Sequence, residues 1–372
     1  MLHLHLLAFL ALVGLHIACA ANPTSEGIVI PGDDKILVFD LSTTADPAPT
    51  ARAMPSESLF FRIHLDHIAF PANANFTITV LGRNNEVLTQ IAPADLSGKL
   101  SYWTDELPGT YALVKVTHAK PAIGQLQFRF AEFGVQAQGG RFLSIRDLNN
   151  PKDEPLYKAA GDRKLMDVAK AVAKISYVKN GTMLSCTGFL VAKDLMLTNQ
   201  HCLDSSPECE TVVVRFGYEI DANRVEQPVE KQHCIRIEAS DKGLDFTLLR
   251  LTGTPGVTWG HLTLETSVPI QGAKFIIVHH PGGMPKRVTI KDCADTGEAP
   301  VDGNQAGLKS DIDHMCDTED GSSGSPVFDA EYRVVALHHL GFSELPPGKQ
   351  GDRNNQAVLI GQVRARIASF LQ

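Results

Sequence analysis

Asp320-Gly321-Ser322-Ser323-Gly324-Ser325-Pro326-Val327-Phe328 sets two glycines and three serines directly ahead of an apolar strand signal. Taken alone, a serine among Gly and Ser is most simply loop material. Two other stretches share the design of a polar group at the end of an apolar run. Ser185-Cys186-Thr187-Gly188-Phe189-Leu190-Val191 leads to Leu195-Met196-Leu197-Thr198-Asn199-Gln200-His201-Cys202, and Leu244-Asp245-Phe246-Thr247-Leu248-Leu249-Arg250-Leu251 opens on a carboxylate. In chain order these supply a base, an acid and an alcohol. A serine hydroxyl is a poor nucleophile until a base takes its proton. An imidazole does so near neutral pH and can return the proton to a leaving group.

The three segments together resemble the chymotrypsin-fold serine endopeptidases, whose chain order is His, Asp, Ser. Thr198-Asn199-Gln200-His201-Cys202 is similar to that family's Thr-Ala-Ala-His-Cys, and Leu244-Asp245-Phe246-Thr247-Leu248 to its Asp-Ile-Ala-Leu. Gly321-Ser322-Ser323-Gly324-Ser325-Pro326 is similar to Gly-Asp-Ser-Gly-Gly-Pro, and closer to the Gly-Asn-Ser-Gly-Ser-Pro of secreted glutamyl endopeptidases. The resemblance covers residues 165–372 and implies a two-barrel, all-β domain acting on proteins or peptides with no cofactor and no metal. It implies His201 as base, Asp245 as the acid that orients it and Ser323 as nucleophile. The N–H groups of Gly321 and Ser323 would form the oxyanion hole, and Cys186 would pair with Cys202. Asp241 competes with Asp245, but it lies in the loop-like Ser240-Asp241-Lys242-Gly243, whereas Asp245 opens an apolar run that can bury and fix a carboxylate. His201 beside Cys186, Cys202 and Cys209 could read as a zinc site, a reading that oxidised thiols oppose.

Specificity signals conflict. Asp317, six residues before Ser323, stands where trypsin-like enzymes place a carboxylate for Lys or Arg. Thr318 and His338 match positions with which glutamyl endopeptidases hold a substrate carboxylate. An unpaired acid in the pocket would repel a Glu side chain, so the two readings compete; the basic preference is slightly favoured. His279-His280-Pro281 resembles a segment of lysyl endopeptidases, and structural roles are expected for His279, His280 and His339. Ser322 departs from the trypsin-like pattern. An Asp there would bind a freed N-terminus, and a hydroxyl cannot supply that ion pair.

Upstream, from 28 to 133, the pattern has period two. Leu59, Phe61, Ile63 and Leu65 alternate with polar or outward positions, as do Ala112, Val114 and Val116, and Leu126, Phe128 and Phe130. Successive strand side chains face opposite sides, so an antiparallel β-sandwich is predicted. His64, Asp66 and His67 read as a solvated strand edge, and Trp103 with Tyr102 as core anchors. Residues 134–164, rich in breakers, read as a linker. Leu165, Val168, Val172 and Ile175 then recur at helical spacing, although Ile175-Ser176-Tyr177-Val178 could equally open a strand. The sandwich is an accessory domain or a pro-domain; if it is not removed, secreted material should begin near Ala21.

The whole chain of 372 residues carries 34 Lys+Arg and 42 Asp+Glu, a net charge of −8, without the basic stripe that nucleic-acid binding needs. The apolar run Leu6–Leu15 is too short to span a bilayer and suits a signal peptide over residues 1–20, with Ala18-Cys19-Ala20 before the cleavage point. Lipid attachment at Cys19 is opposed by His16 at the lipobox position. Export leaves six cysteines, enough for three disulfides. Beyond Cys186–Cys202 three arrangements are open, of which Cys209–Cys234 with Cys293–Cys316 has the shortest loops. Asn75-Phe76-Thr77 and Asn180-Gly181-Thr182 are glycosylation sequons in a eukaryotic host. The rival to a secreted peptidase is a silent homologue that binds a ligand through its sandwich.

Overall fold

The computed structural model describes residues 16–18, 28–30, 35–40, 60–82, 84–108, 111–118, 126–136, 143–145, 151–180, 182–297, 300–341 and 354–371. The fold is all-β and divides into two compact units, Met1–Gly139 with Asn180–Met183, and Gly140–Lys179 with Leu184–Gln372. Among the described residues no helix is long and apolar enough to cross a membrane. Of the expected leader only His16–Ala18 is described, as a short strand parallel to Ile36–Val38. Cys19 and the cleavage point before Ala21 lie outside the described residues.

The first unit is the sandwich that the alternation predicts. One sheet runs His16–Ala18, Lys35–Asp40, Tyr111–His118, Phe76–Leu81 and Val87–Ile91. The other is built on Phe60–Ala69 and Leu126–Gln136. Ile63, Leu65, Phe76, Ile78, Val80, Ala112, Val114 and Val116 are buried at every second position, as a half-wet strand requires. His64 is not on a solvated edge. Its strand is flanked by Leu126–Gln136 on one side and Ser101–Trp103 on the other. The ring accordingly stacks on Trp103 at 4.5 Å and reaches Ser101 Oγ at 2.8 Å.

The second unit begins earlier than the motif pattern suggests. Residues 134–164 are not all connector. Leu143–Ser144 pairs with Thr318–Glu319, and Asp153–Pro155 pairs with Arg287–Thr289. Arg287 bonds the carboxylate and the carbonyl of Asp153, closing the edge with charge as well as backbone. Asp162 then caps the helix Arg163–Ala169 by accepting from Leu165 N–H at 3.0 Å. The helical spacing stops at Ala169. Val172 and Ile175 belong to the strand Val172–Lys179, whose β-branched side chains pack in a barrel wall buried on both faces.

That strand opens a closed barrel of six. Val172–Lys179 pairs with Val213–Phe216, then Glu230–Asp241, Phe246–Leu251, Leu195–Thr198 and Thr182–Leu190, which returns to the first strand. A second sheet carries seven strands in the order Asp153–Pro155, Arg287–Thr289, Ile276–His279, Pro326–Phe328, Val334–Leu340, Asn355–Leu359 and Asp311–His314. This is the two-barrel, chymotrypsin-like arrangement. Its three disulfides are Cys186–Cys202, Cys209–Cys234 and Cys293–Cys316.

Candidate active site

His201 stands three residues beyond the end of the strand Leu195–Thr198, and the Cys186–Cys202 disulfide pins the turn that carries it. Asp245 lies at the tight turn between Glu230–Asp241 and Phe246–Leu251, in left-handed backbone at φ 44°. Its side chain is buried while that of His201 keeps 42% exposure. One carboxylate oxygen accepts the His201 backbone N–H at 2.9 Å, and the other lies 2.8 Å from His201 Nδ1. Asn199 fixes the same turn by donating to the Asp245 carbonyl. Burial raises the Asp245 pKa, but hydrogen bonds and charge from His201 and His339 outweigh it and hold the carboxyl well below the usual range. Asp241 instead accepts from Gly243 and Leu244 N–H, shaping the turn that Asp245 closes.

Ser323 comes from the second barrel on the loop before Pro326–Phe328 and is half-buried between buried neighbours. Thr187 N–H donates to the Ser323 carbonyl at 2.8 Å, and Thr198 Oγ1 donates to the Thr187 carbonyl at 2.8 Å. Two bonds therefore tie the serine loop to the segment three residues before His201. Gly321 and Gly324 are left-handed, at φ 85° and 86°. A Cβ on Gly324 would fall 2.1 Å from the Thr187 carbonyl, and one on Gly321 2.6 Å from the His280 carbonyl. The N–H groups of Ser322 and Gly324 are taken by Glu319 and His338 carbonyls. Those of Gly321 and Ser323 meet no acceptor among the described residues.

Ser322 is held by neutral hydrogen bonds. Its Oγ accepts from Glu319 N–H at 3.1 Å and lies 2.9 Å from His279 Nδ1; His279 Nε2 reaches Thr289 Oγ1, which donates to the Asp317 carbonyl. Burial lowers the His279 pKa to about 4, so the ring is neutral at physiological pH and fits a chain that needs one donor and one acceptor.

Asp317, Thr318 and His338, the positions expected to set specificity, are all buried. Asp317 turns a carboxylate oxygen to Lys152 N–H at 2.9 Å. Asn355 Nδ2 donates to Thr318 Oγ1 at 3.1 Å. His338 Nδ1 lies 3.1 Å from His314 Nε2, and His314 Nδ1 accepts Cys316 N–H. That tautomer of His314 must donate to His338, which leaves His338 Nε2–H as a donor. Burial and the neighbouring histidines hold His338 well below its ordinary pKa. His314 and Asn355 carry no motif, and only strand pairing in the second barrel brings them behind His338 and Thr318.

Cys186, His201 and Cys202 lie close enough to suggest a metal, but both sulfurs are spent in the disulfide. His339, expected from the sequence to have a structural role, is buried beside Asp245. Its Nδ1 lies 3.0 Å from the Asp245 carboxylate.

The chain is similar to several known proteins. The chain is 31% identical over 201 residues to the uncharacterized protein y4fB of Sinorhizobium fredii, covering 49% of this chain and 29% of that protein. It is 27% identical over 184 residues to the secreted RxLR effector protein 73 of Plasmopara viticola, covering 46% and 45%. It thus spans less than half the length of either relative. A Glu endopeptidase structure in complex with MPD aligns at TM-score 0.44 and 17% identity over 61% of this chain and 98% of that one. Residues 186–337 match the family model of the trypsin-like peptidase domain.

Proposed function

We propose that the protein is a secreted serine endopeptidase that hydrolyses peptide bonds through an acyl-enzyme. Ser323 attacks the carbonyl carbon, His201 takes its proton and later passes it to the leaving amine, and Asp245 holds the imidazole in the required tautomer. The observation that carries this reading is the buried Asp245 carboxylate bonded to both His201 Nδ1 and His201 N–H. With Nδ1 committed there, Nε2 is the ring nitrogen left for an alcohol. The N–H groups of Gly321 and Ser323 serve the developing oxyanion. Disulfides in each barrel are compatible with an oxidising compartment. A fluorophosphonate probe tests the reading: it labels Ser323 in the wild type and not in Ser323→Ala or at equal rate in His201→Ala. Failure to label folded wild-type protein points to the silent, ligand-binding homologue instead.

Within that reading the pocket favours an acidic side chain over a basic one, against the slight lean of the sequence. Asp317 is engaged by the Lys152 backbone, while Thr318 and His338 are each supplied by a neighbour so that their own protons remain to be donated. Donors match a carboxylate acceptor. Cleavage profiling on a peptide library should show Glu before the cut bond, a preference kept in Asp317→Ala and lost in His338→Ala. Cleavage after Lys or Arg that disappears in Asp317→Ala would reverse the assignment.

A further inference from the structure

His339 sits on Val334–Leu340 next to His338, at a register shift between His338 and Leu340, and the two rings reach different partners, His338 to His314 and His339 to Asp245 and Asp311. The ring is completely buried between two acids that are themselves buried. Nδ1 lies 3.0 Å from Asp245 Oδ2, and Nε2 lies 2.5 Å from Asp311 Oδ2. A neutral imidazole has one N–H and one lone pair, so it could donate to only one of these carboxylates. The acids cannot readily supply the missing proton. Donors on their other oxygens, Ser310 Oγ to Asp311 Oδ1 at 2.6 Å and His201 N–H to Asp245 Oδ1, favour the ionised acids, and an imidazole is more basic than a carboxylate, so the shared protons rest on the ring. The doubly protonated ring satisfies every contact.

We propose that His339 is a positioning residue of this active site, an imidazolium that clamps Asp245 from behind and anchors it to Asp311. The inference rests on the proteolytic reading above. Burial pulls the His339 pKa down, but hydrogen bonds and charge from Asp245 and Asp311 override it and raise it to about 9, so the charge persists through neutral pH. Of the other titratable groups, His338 interacts with it and is held well below its ordinary pKa by burial, and His201 meets it through the shared Asp245 Oδ2.

The clamp has a consequence for the base. With His339 charged, the buried set of Asp311, His339 and Asp245 carries one net negative charge, which is balanced when His201 takes the serine proton. With a neutral residue at 339, His201 faces two buried carboxylates and one missing cation. Its imidazolium is then over-stabilised, and the base stays protonated and idle at higher pH.

The full-length chain tests this with two independent readouts. In wild-type protein labelled with ¹⁵N-histidine, His339 should show two imidazole N–H resonances at pH 7 that persist to pH 8, and Asp311→Asn should lose the second at lower pH. His339→Gln should lower kcat by on the order of 10²-fold, the scale of a misplaced catalytic group. KM should change little, and the acid limb of kcat/KM should move to higher pH. A single N–H resonance at pH 7 in the wild type overturns the clamp. A folded His339→Gln with wild-type kcat and an unmoved acid limb overturns the positioning role. Should His339→Gln not fold, Asp311→Asn carries the kinetic arm, with unchanged kcat and limb as the overturning result. If wild-type protein neither labels with fluorophosphonate nor cleaves peptides, the proteolytic reading fails, whereas the resonances still decide whether the clamp exists.

Discussion

At the scale of single residues, the loop proposed to bind the oxyanion depends on backbone that only glycine adopts cheaply. Gly321 at φ 85° has the His280 carbonyl where a Cβ would stand, and the nearest alternative contact is the Gly283 backbone N at 2.9 Å. Neither obstacle is a flexible side chain, so the loop itself must move. Gly321→Ala is therefore expected to lower kcat by about 10²–10³-fold, the cost of losing one oxyanion donor, with little change in KM. Steady-state kinetics on a peptide substrate checks this, and a loss confined to KM would count against it. Ser322 illustrates what the motif alone conveys. The sequence says that no buried ion pair can form there. The substitute, a hydroxyl between Glu319 N–H and His279, depends on His279 arriving from 43 residues away.

At the scale of elements, the segment read as a linker becomes part of the second barrel. Asp153–Pro155 is short and contains proline, so nothing in its local pattern announces a strand. Its partner Arg287–Thr289 supplies the ladder, and Arg287 supplies the charge. Asp153→Ala leaves Arg287 without its carboxylate. Because the Arg287 side chain retains 24% exposure, the expected loss is about 2 kcal/mol, below the roughly 3–5 kcal/mol of a fully buried pair. Urea unfolding should show a lower midpoint at unchanged slope, and an unmoved midpoint would mean that water replaces the acid at no cost. The same edge places Lys152 against Asp317, so an upstream strand helps to set the loop of the proposed pocket.

At the scale of the whole molecule, buried histidines of opposite character shape stability against pH. His279 is depressed to about 4 from 6.5, so its contribution is complete above pH 6.5 and lost as pH falls through 4. His280 and His338 act in the same direction. His339 is raised to about 9, so its contribution is complete below pH 6.5 and lost as pH rises through 9. The His279 and His339 shifts each correspond to about 3 kcal/mol. Lys286, lowered to about 8 by burial, adds an opposing slope only above that pH. Thermal unfolding should accordingly peak near pH 6.5 and fall on both sides, and His339→Gln should remove the alkaline fall between pH 6.5 and 8. Calorimetry across pH 5–8.5 checks it; a flat profile would contradict the burial of these rings.

The sequence by itself determined the elements that are local. Alternation identified the sandwich, apolar runs identified the barrel strands, and three motifs placed an imidazole, an acid and a hydroxyl in one chain order. These are legible because strand period and turn chemistry are set by neighbours in the chain. Only the tertiary structure decided that Leu143–Ser144 pairs with Thr318–Glu319 and Asp153–Pro155 with Arg287–Thr289, that Asp317 turns a carboxylate oxygen to Lys152, and that His314 backs His338. It alone placed His339 between Asp245 and Asp311, which lie 94 and 28 residues away. Such pairings depend on which strands lie side by side and on the burial that makes an unpaired charge too costly to keep, and neither quantity exists until the barrels close.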